Sequence, residues 1–333
     1  MIPVSVITGF LGSGKTTLLG RMLPHPALAD AAVIINEFGE IGLDHHLVER
    51  VEGDVVVMSS GCLCCTIRND LATTLRELYE KREAGIVPRF RRVVVETTGL
   101  ADPAPILHTL MEEPFARRYF RLDAVITTVD ALHGRGQLDQ HVESVKQAAV
   151  ADRLVLTKTD LAPASEVAAL RSRLETLNPG APIFEAVRGA LDPALLFDAG
   201  IYDPDSKSED VRRWLNAEAV ADRHAHVHDV NRHDARIQAH CLVFEAPIDW
   251  RYFSPNLAAF ISRNANRLLR VKGLLNVEGE PLPVVVHGVQ HQFQRMRLAR
   301  WPDEDRRSRL VLITRDLERS AIESALLPRA LAS

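Results

Sequence analysis

Short apolar runs recur along the first half of the chain at Val4–Thr8, Ala32–Asn36, Val55–Met58, Val93–Glu96, Ala124–Val129 and Leu154–Thr157. Amphipathic stretches of helical length lie between several of them, at Leu71–Lys81, Ala104–Met111, Leu138–Ala149 and Ser165–Leu177. Continuous Val- and Ile-rich strands, rather than alternating ones, suit a sheet covered on both faces. Strand-helix alternation then predicts an α/β domain built on a mostly parallel, doubly wound sheet, with its ligand at the carboxyl ends of the strands. The pattern stops near Gly200. Residues 203–234 are polar and charged, with a short helix at Val211–Val220 as their one regular feature. Beyond them a strand (Ile237–Phe244), a helix (Phe253–Arg263), strands at Leu268–Leu275, Pro283–His287 and Leu310–Thr314, and a closing helix (Leu317–Leu326) predict a smaller α+β unit. The expected division is a domain over 1–200, a histidine-containing linker over 201–235 and a second domain over 236–333.

Composition narrows the class. At 333 residues the chain exceeds one ordinary core, and 46% hydrophobic residues suffice for two. Its apolar runs fall short of the roughly 18 residues of a spanning helix, and the start leads into neither a basic n-region nor a signal peptide. A cytoplasmic protein with no membrane contact is expected. The formal charge of −4 argues against a nucleic-acid surface, with Arg89-Phe90-Arg91-Arg92 read as solvated loop residues.

Chemistry is concentrated just after the strands. Gly9-Phe10-Leu11-Gly12-Ser13-Gly14-Lys15-Thr16 follows the first strand and leads into a helix. In such a loop successive backbone N–H groups converge on phosphates, the lysine reaches the β- and γ-phosphates, and the threonine hydroxyl is offered to Mg²⁺. Gly9, Gly12, Ser13, Gly14, Lys15, Thr16 and Thr17 are therefore the candidate phosphate site, and the domain is expected to be a P-loop nucleotidase. Val93-Val94-Val95-Glu96 ends an apolar strand in an acid three residues before Gly99; Glu96 is placed to reach Mg²⁺ and the Gly99 N–H to sense a γ-phosphate. Lys15, Thr16 and Glu96 are the candidate catalytic charge stabilisers. No residue stands out as the group that positions water, so slow intrinsic turnover is expected. Thr157-Lys158-Thr159-Asp160 follows another strand. A carboxylate there accepts both N1–H and N2–H₂ of guanine, which adenine does not offer, while the lysine stem lies over the base. Thr157, Lys158 and Asp160 thus select GTP.

Three of the four cysteines, Cys62, Cys64 and Cys65, share one turn, while Cys241 stands alone in an apolar strand and reads as a small buried residue. Clustered thiolates in a reducing compartment suit a soft metal, Zn²⁺ first, with Co²⁺ or Cu⁺ as alternatives. Three cysteines so close together do not close a tetrahedral site, and His45 and His46 are local candidates for the fourth ligand. A second candidate metal group is His224, His226 and His228, with His233 and His240 further on; solvated linker histidines are the competing reading.

Gly9–Thr17, Asn36-Glu37-Phe38-Gly39-Glu40, Cys62-Leu63-Cys64-Cys65, Glu96-Thr97-Thr98-Gly99 and Thr157-Lys158-Thr159-Asp160 together resemble the CobW-like GTP-dependent metal chaperones, relatives of the GTPases that help deliver nickel to urease and hydrogenase. The second domain is similar to that family's C-terminal domain, through Leu269–Leu275 and Arg307–Val311. The resemblance implies a P-loop GTPase that hydrolyses GTP with Mg²⁺, with Glu37 as the fourth ligand beside the cysteines. It also implies a client apoprotein that receives Zn²⁺ or Co²⁺; a homo-oligomer is compatible with it. A regulatory or structural zinc-binding GTPase without metal transfer, and a P-loop small-molecule kinase, are the alternatives. One departure stands out: Thr157 occupies a position where Asn is commoner, so the hydrogen bond that braces the base loop is expected to be weaker or absent.

Overall fold

A computed structural model describes residues 1–36, 56–60, 67–197, 237–302 and 304–326. The described residues of 1–171 and 182–202 form one compact unit, and those of 172–181 and 203–333 form another.

The first unit is built on a seven-stranded sheet. Its strands are β1 (Ile2–Gly9), β2 (Ala31–Asn36), β3 (Val56–Ser60), β4 (Arg92–Glu96), β5 (Phe120–Asp130), β6 (Arg153–Thr157) and β7 (Ile183–Ala186). They lie in the order β3-β2-β4-β1-β5-β6-β7, every pairing parallel. Helices connect them: α1 (Lys15–Met22), α2 (Ile67–Glu83), α3 (Ala104–Glu112), α4 (Pro114–Tyr119), α5 (Gly134–Gln140), α6 (Val142–Ala149) and α7 (Ala164–Leu177). Leu18, Leu19 and Met22 of α1 pack with Ile7, Val33, Val94 and Ile126 on one face. Thr127, one residue on from Ile126 and so on the opposite face, donates to the Gln147 carbonyl of α6. Helices therefore cover both faces, as the burial of successive residues along β1, β4, β5 and β6 requires. The register brings the carboxyl ends of β1, β4, β5 and β6 side by side, with Ile7 opposite Glu96, Gly9 opposite Thr128, and Asp130 opposite Thr157.

The second unit holds a five-stranded antiparallel sheet in the order β11-β10-β9-β12-β8. Its strands are β8 (Ile237–Phe244), β9 (Leu268–Leu275), β10 (Val284–Val289), β11 (Gln292–Arg297) and β12 (Ser308–Arg315). Helices α8 (Trp250–Arg263) and α9 (Arg319–Leu326) cover one face, enclosing Leu242, Phe253, Leu257, Val271, Val286, Leu312, Ile322 and Leu326 in a core.

Several elements differ from the expectation. The helix expected at Leu138–Ala149 is two, α5 and α6, because His141 is extended (φ −127, ψ 112) and breaks the turn. Strand β7 and helix α4 were not anticipated, each being too short to show a period. Strand β11 was missed because as a sheet edge it is largely polar; Val289 pairs with Gln292 across a two-residue turn in which Gln290 is left-handed (φ 52). The strand ends near Val55 and the helix at Val211–Val220 meet or lie in segments outside the described residues, as does the linker over 201–235.

Candidate functional site: a phosphate loop joined to a base loop

The site grows from the end of β1. Gly14 caps α1 in the left-handed region (φ 88), where a Cβ is strained, and this aims the first N–H groups of the helix into the loop. Ser13 is fully buried, and its N–H donates to the Phe10 carbonyl at 3.1 Å. Its hydroxyl lies 2.6 Å from that of Thr128 at the end of β5. Lys15, 8% exposed, turns its Nζ back to the carbonyls of Gly9 (3.0 Å) and Phe10 (3.2 Å), which puts the ammonium over the loop, where phosphates would lie. Gly12 is left-handed as well (φ 70), and Thr17 is in the first turn of α1.

Beside the loop, the Thr16 hydroxyl donates to Glu96 Oε1 at 2.6 Å across 80 residues of sequence. The strand pairing of β1 with β4 makes this contact, and Thr97 continues it through N–H to Ile7 O (2.9 Å) and hydroxyl to Thr8 Oγ1 (2.9 Å). A hydroxyl and a carboxylate oxygen converging next to a phosphate cradle are the hard-oxygen donor set that suits Mg²⁺. Gly99 follows so close to the phosphate loop that a Cβ on it would come within 2.7 Å of Leu11 Cα and N.

The base loop overturns one expectation. Thr157, 5% exposed, donates its hydroxyl to the Ser13 carbonyl at 2.7 Å, with the Val129 carbonyl at 3.4 Å. The brace is thus present despite the absent Asn, because β6 ends close enough to the phosphate loop for the shorter side chain to reach. A Cβ on Gly14 would make only ordinary contact with Thr157, so it is the left-handed backbone, not space, that calls for glycine there. Lys158 adopts a left-handed backbone (φ 58), and its Nζ pairs with Asp130 Oδ2 at 2.8 Å. The Asp160 carboxylate is partly exposed and has Arg188 Nε at 3.8 Å, a solvent-screened pair.

Asp130 was missed by sequence reasoning. It is almost fully buried, its Oδ1 accepts the N–H of Leu132 and its Oδ2 the Lys158 ammonium, so it fixes the lysine that would lie along the base. The signal was available: an acid ending an apolar strand, as at Glu96.

Of the residues predicted for the site, the structure brings together Gly9, Gly12, Ser13, Gly14, Lys15, Thr16, Thr17, Glu96, Gly99, Thr157, Lys158 and Asp160 around the carboxyl ends of β1, β4 and β6. Cys62, Cys64, Cys65, Glu37, His45, His46, His224, His226, His228 and His233 lie outside the described residues. Among the described residues no group of three or more His, Cys, Asp or Glu side chains is arranged to hold a metal ion. His240 does not belong with the linker histidines: it lies on β8, 5% exposed, bonded to Thr314 Oγ1 at 3.1 Å. Cys241 is buried beside Val311.

A model of the CobW/HypB/UreG nucleotide-binding domain matches residues 3–185, and one of the cobalamin synthesis protein cobW C-terminal domain matches residues 237–328. The chain is 33% identical to the zinc chaperone YjiA of Escherichia coli, over 97% of both chains, and 32% identical to the zinc chaperone CobW of Pseudomonas aeruginosa, over 98% of this chain and 90% of that one. A crystal structure of Zn(II)-bound YjiA GTPase from E. coli superposes with a TM-score of 0.72 at 29% identity, covering 97% of each chain. The phosphate loop, the Thr16–Glu96 pair and the braced base loop thus occur in a chain whose two parts match two models of one family, and the chain belongs to the CobW/HypB/UreG family of nucleotide-binding proteins, in the form that carries a CobW C-terminal domain.

Proposed function

We propose that this chain is a GTP-hydrolysing metallochaperone, which binds Zn²⁺, with Co²⁺ as the alternative cargo, and couples GTP binding and hydrolysis to transfer of that metal to a client apoprotein. Lys15 and the loop N–H groups bind and neutralise the phosphates. Asp160 accepts the guanine N–H groups, and Lys158, held by Asp130, lies along the base. Thr16 and Glu96 would hold Mg²⁺, which would supply charge neutralisation for the phosphates. The thiolates of Cys62, Cys64 and Cys65, with Glu37, form the cargo site. Residues 1–200 serve as the GTPase domain, 201–235 as a linker whose His224, His226 and His228 offer loose metal capture, and 236–333 as the second domain. A cytoplasmic location fits thiolate chemistry; among the described residues no helix is long and apolar enough to cross a membrane.

The observation that carries this reading is coverage. Similarity to a protein named a zinc chaperone runs over 97% of both chains, so it takes in the cysteine segment and the second domain as well as the nucleotide site. Asn36, the residue before Glu37, ends β2 next to Glu96 on β4, since Ile35 pairs with Glu96. If Glu37 answers to both the γ-phosphate and the metal, the two affinities are linked, each changing the other by the same factor.

The test is Zn²⁺ affinity measured by chelator competition with a non-hydrolysable GTP analogue, with GDP and without nucleotide. Affinities that differ among the three states, and that collapse in a Cys62→Ser, Cys64→Ser, Cys65→Ser variant, support the coupling. Three equal affinities refute it.

A further inference from the structure

Helix α6 touches both the phosphate loop and the loop that follows Glu96. At its start the His141 ring stacks on Phe10 of the phosphate loop, centroids 4.5 Å apart and planes 26° from parallel. Further along, Lys146 Nζ pairs with Asp102 at 2.8 Å, and Asp102 also accepts the Ala104 N–H that opens α3. Next to Lys146, Gln147 is buried, 1% exposed. Its Nε2 donates to the Gly99 carbonyl at 3.2 Å and to the Ala101 carbonyl at 3.0 Å. Its main-chain carbonyl receives the Thr127 hydroxyl at 2.8 Å, which ties α6 to β5. Its Oε1 is buried and has no hydrogen-bond partner among the described residues.

Both donors of this amide are spent on one loop, and its acceptor is unpaired among the described residues. As packing that is a poor choice, since Met fills a similar volume with no orphaned oxygen. The return must lie in where Gly99 and Ala101 are held. Gly99 is gripped from two sides, its carbonyl by Gln147 and its Cα by the backbone of Leu11. We propose that Gln147 is a positioning residue for GTP hydrolysis: from outside the nucleotide site it sets the Gly99–Asp102 loop against the phosphate loop, so that the loop answers to a γ-phosphate. The proposal rests on the GTPase reading and is independent of any metal cargo.

The test uses the full chain without added zinc, comparing Gln147→Met and Gln147→Glu with the unaltered protein. GDP and GTP-analogue affinities are measured by fluorescent-nucleotide titration, and hydrolysis by single turnover with Mg²⁺. Losing two neutral hydrogen bonds that matter in one nucleotide state should lower analogue affinity and single-turnover rate by about tenfold in the Met variant, with GDP affinity within about threefold of the original. Equal losses for GDP and analogue would mark a merely structural residue and overturn the proposal, as would unchanged hydrolysis. The Glu variant keeps the test open should the Met variant fail to fold. A buried carboxyl facing two carbonyl oxygens donates only while protonated, so its hydrolysis should rise relative to the original as pH falls from about 8 to about 6. A pH profile parallel to that of the original overturns the proposal. Absence of hydrolysis in the unaltered protein would instead refute the GTPase reading itself.

Discussion

Replacing Thr157 with Val removes one hydroxyl and preserves the shape of a side chain that is 5% exposed. The hydroxyl makes a 2.7 Å bond to the Ser13 carbonyl, and Ser13 is fully buried, so that carbonyl loses its side-chain partner where water has poor access. A neutral hydrogen bond contributes about 1 kcal/mol net, and stranding a buried acceptor raises the cost to about 2 kcal/mol. On the proposed reading Ser13 belongs to the phosphate cradle and Thr157 opens the base loop, so the bond would hold the two halves of the nucleotide site in register. If the loss is expressed in binding, affinity falls by a factor of about 5–30. It should fall equally for GTP and GDP, since both carry guanine and a β-phosphate, and Thr157→Ser, which keeps the hydroxyl, should recover affinity to within about threefold. Fluorescent-nucleotide titration or calorimetry measures this directly. A Val variant within about twofold of the original for both nucleotides would refute the brace. A loss confined to GTP would show that the bond serves the γ-phosphate instead.

Two other outcomes follow from the same geometry. Asp160→Asn removes the carboxylate proposed to accept N1–H and N2–H₂, so guanosine nucleotides should weaken by a factor on the order of 10²–10⁴ while xanthosine nucleotides, with a carbonyl at C2, gain; competition titration checks this, and an unchanged guanine preference would remove Asp160 from base recognition. In the second unit, burial holds the His240 imidazole below its usual 6.5, and Arg319 lowers it further against the opposing carboxylates of Glu318 and Glu323. The folded ring takes up a proton less readily than the unfolded one, whose uptake centres near pH 6.5, so this contribution is complete above that pH and is lost as pH falls below it. The denaturation midpoint should therefore decline on going from about pH 7 to about pH 5, and His240→Leu should flatten that decline; identical slopes would refute it.

Much of the fold was legible because its signals are local. The apolar runs that became β1, β2, β4 and β6 are continuous, as strands buried on both faces must be, and the Gly14–Lys15 helix start announces itself through a glycine that needs φ 88. Polar β11 and four-residue β7 were illegible because their pairing partners, not their own periodicity, make them strands.

The amino-acid sequence by itself determined the donor types and their spacing: the glycines after β1, Lys15, Glu96, Asp160, and the closely spaced Cys62, Cys64 and Cys65. Residues a few positions apart share one backbone segment, so spacing constrains their geometry. Only the tertiary structure decided which loops are joined. Thr157 reaches Ser13 across 144 residues, Thr16 reaches Glu96 across 80, and Gln147 reaches Gly99 across 48. Those bonds depend on strand order and register to within a few tenths of an ångström, because a hydrogen bond loses its value beyond about 3.5 Å. Chain-distant partners acquire that precision only once the sheet has closed around them.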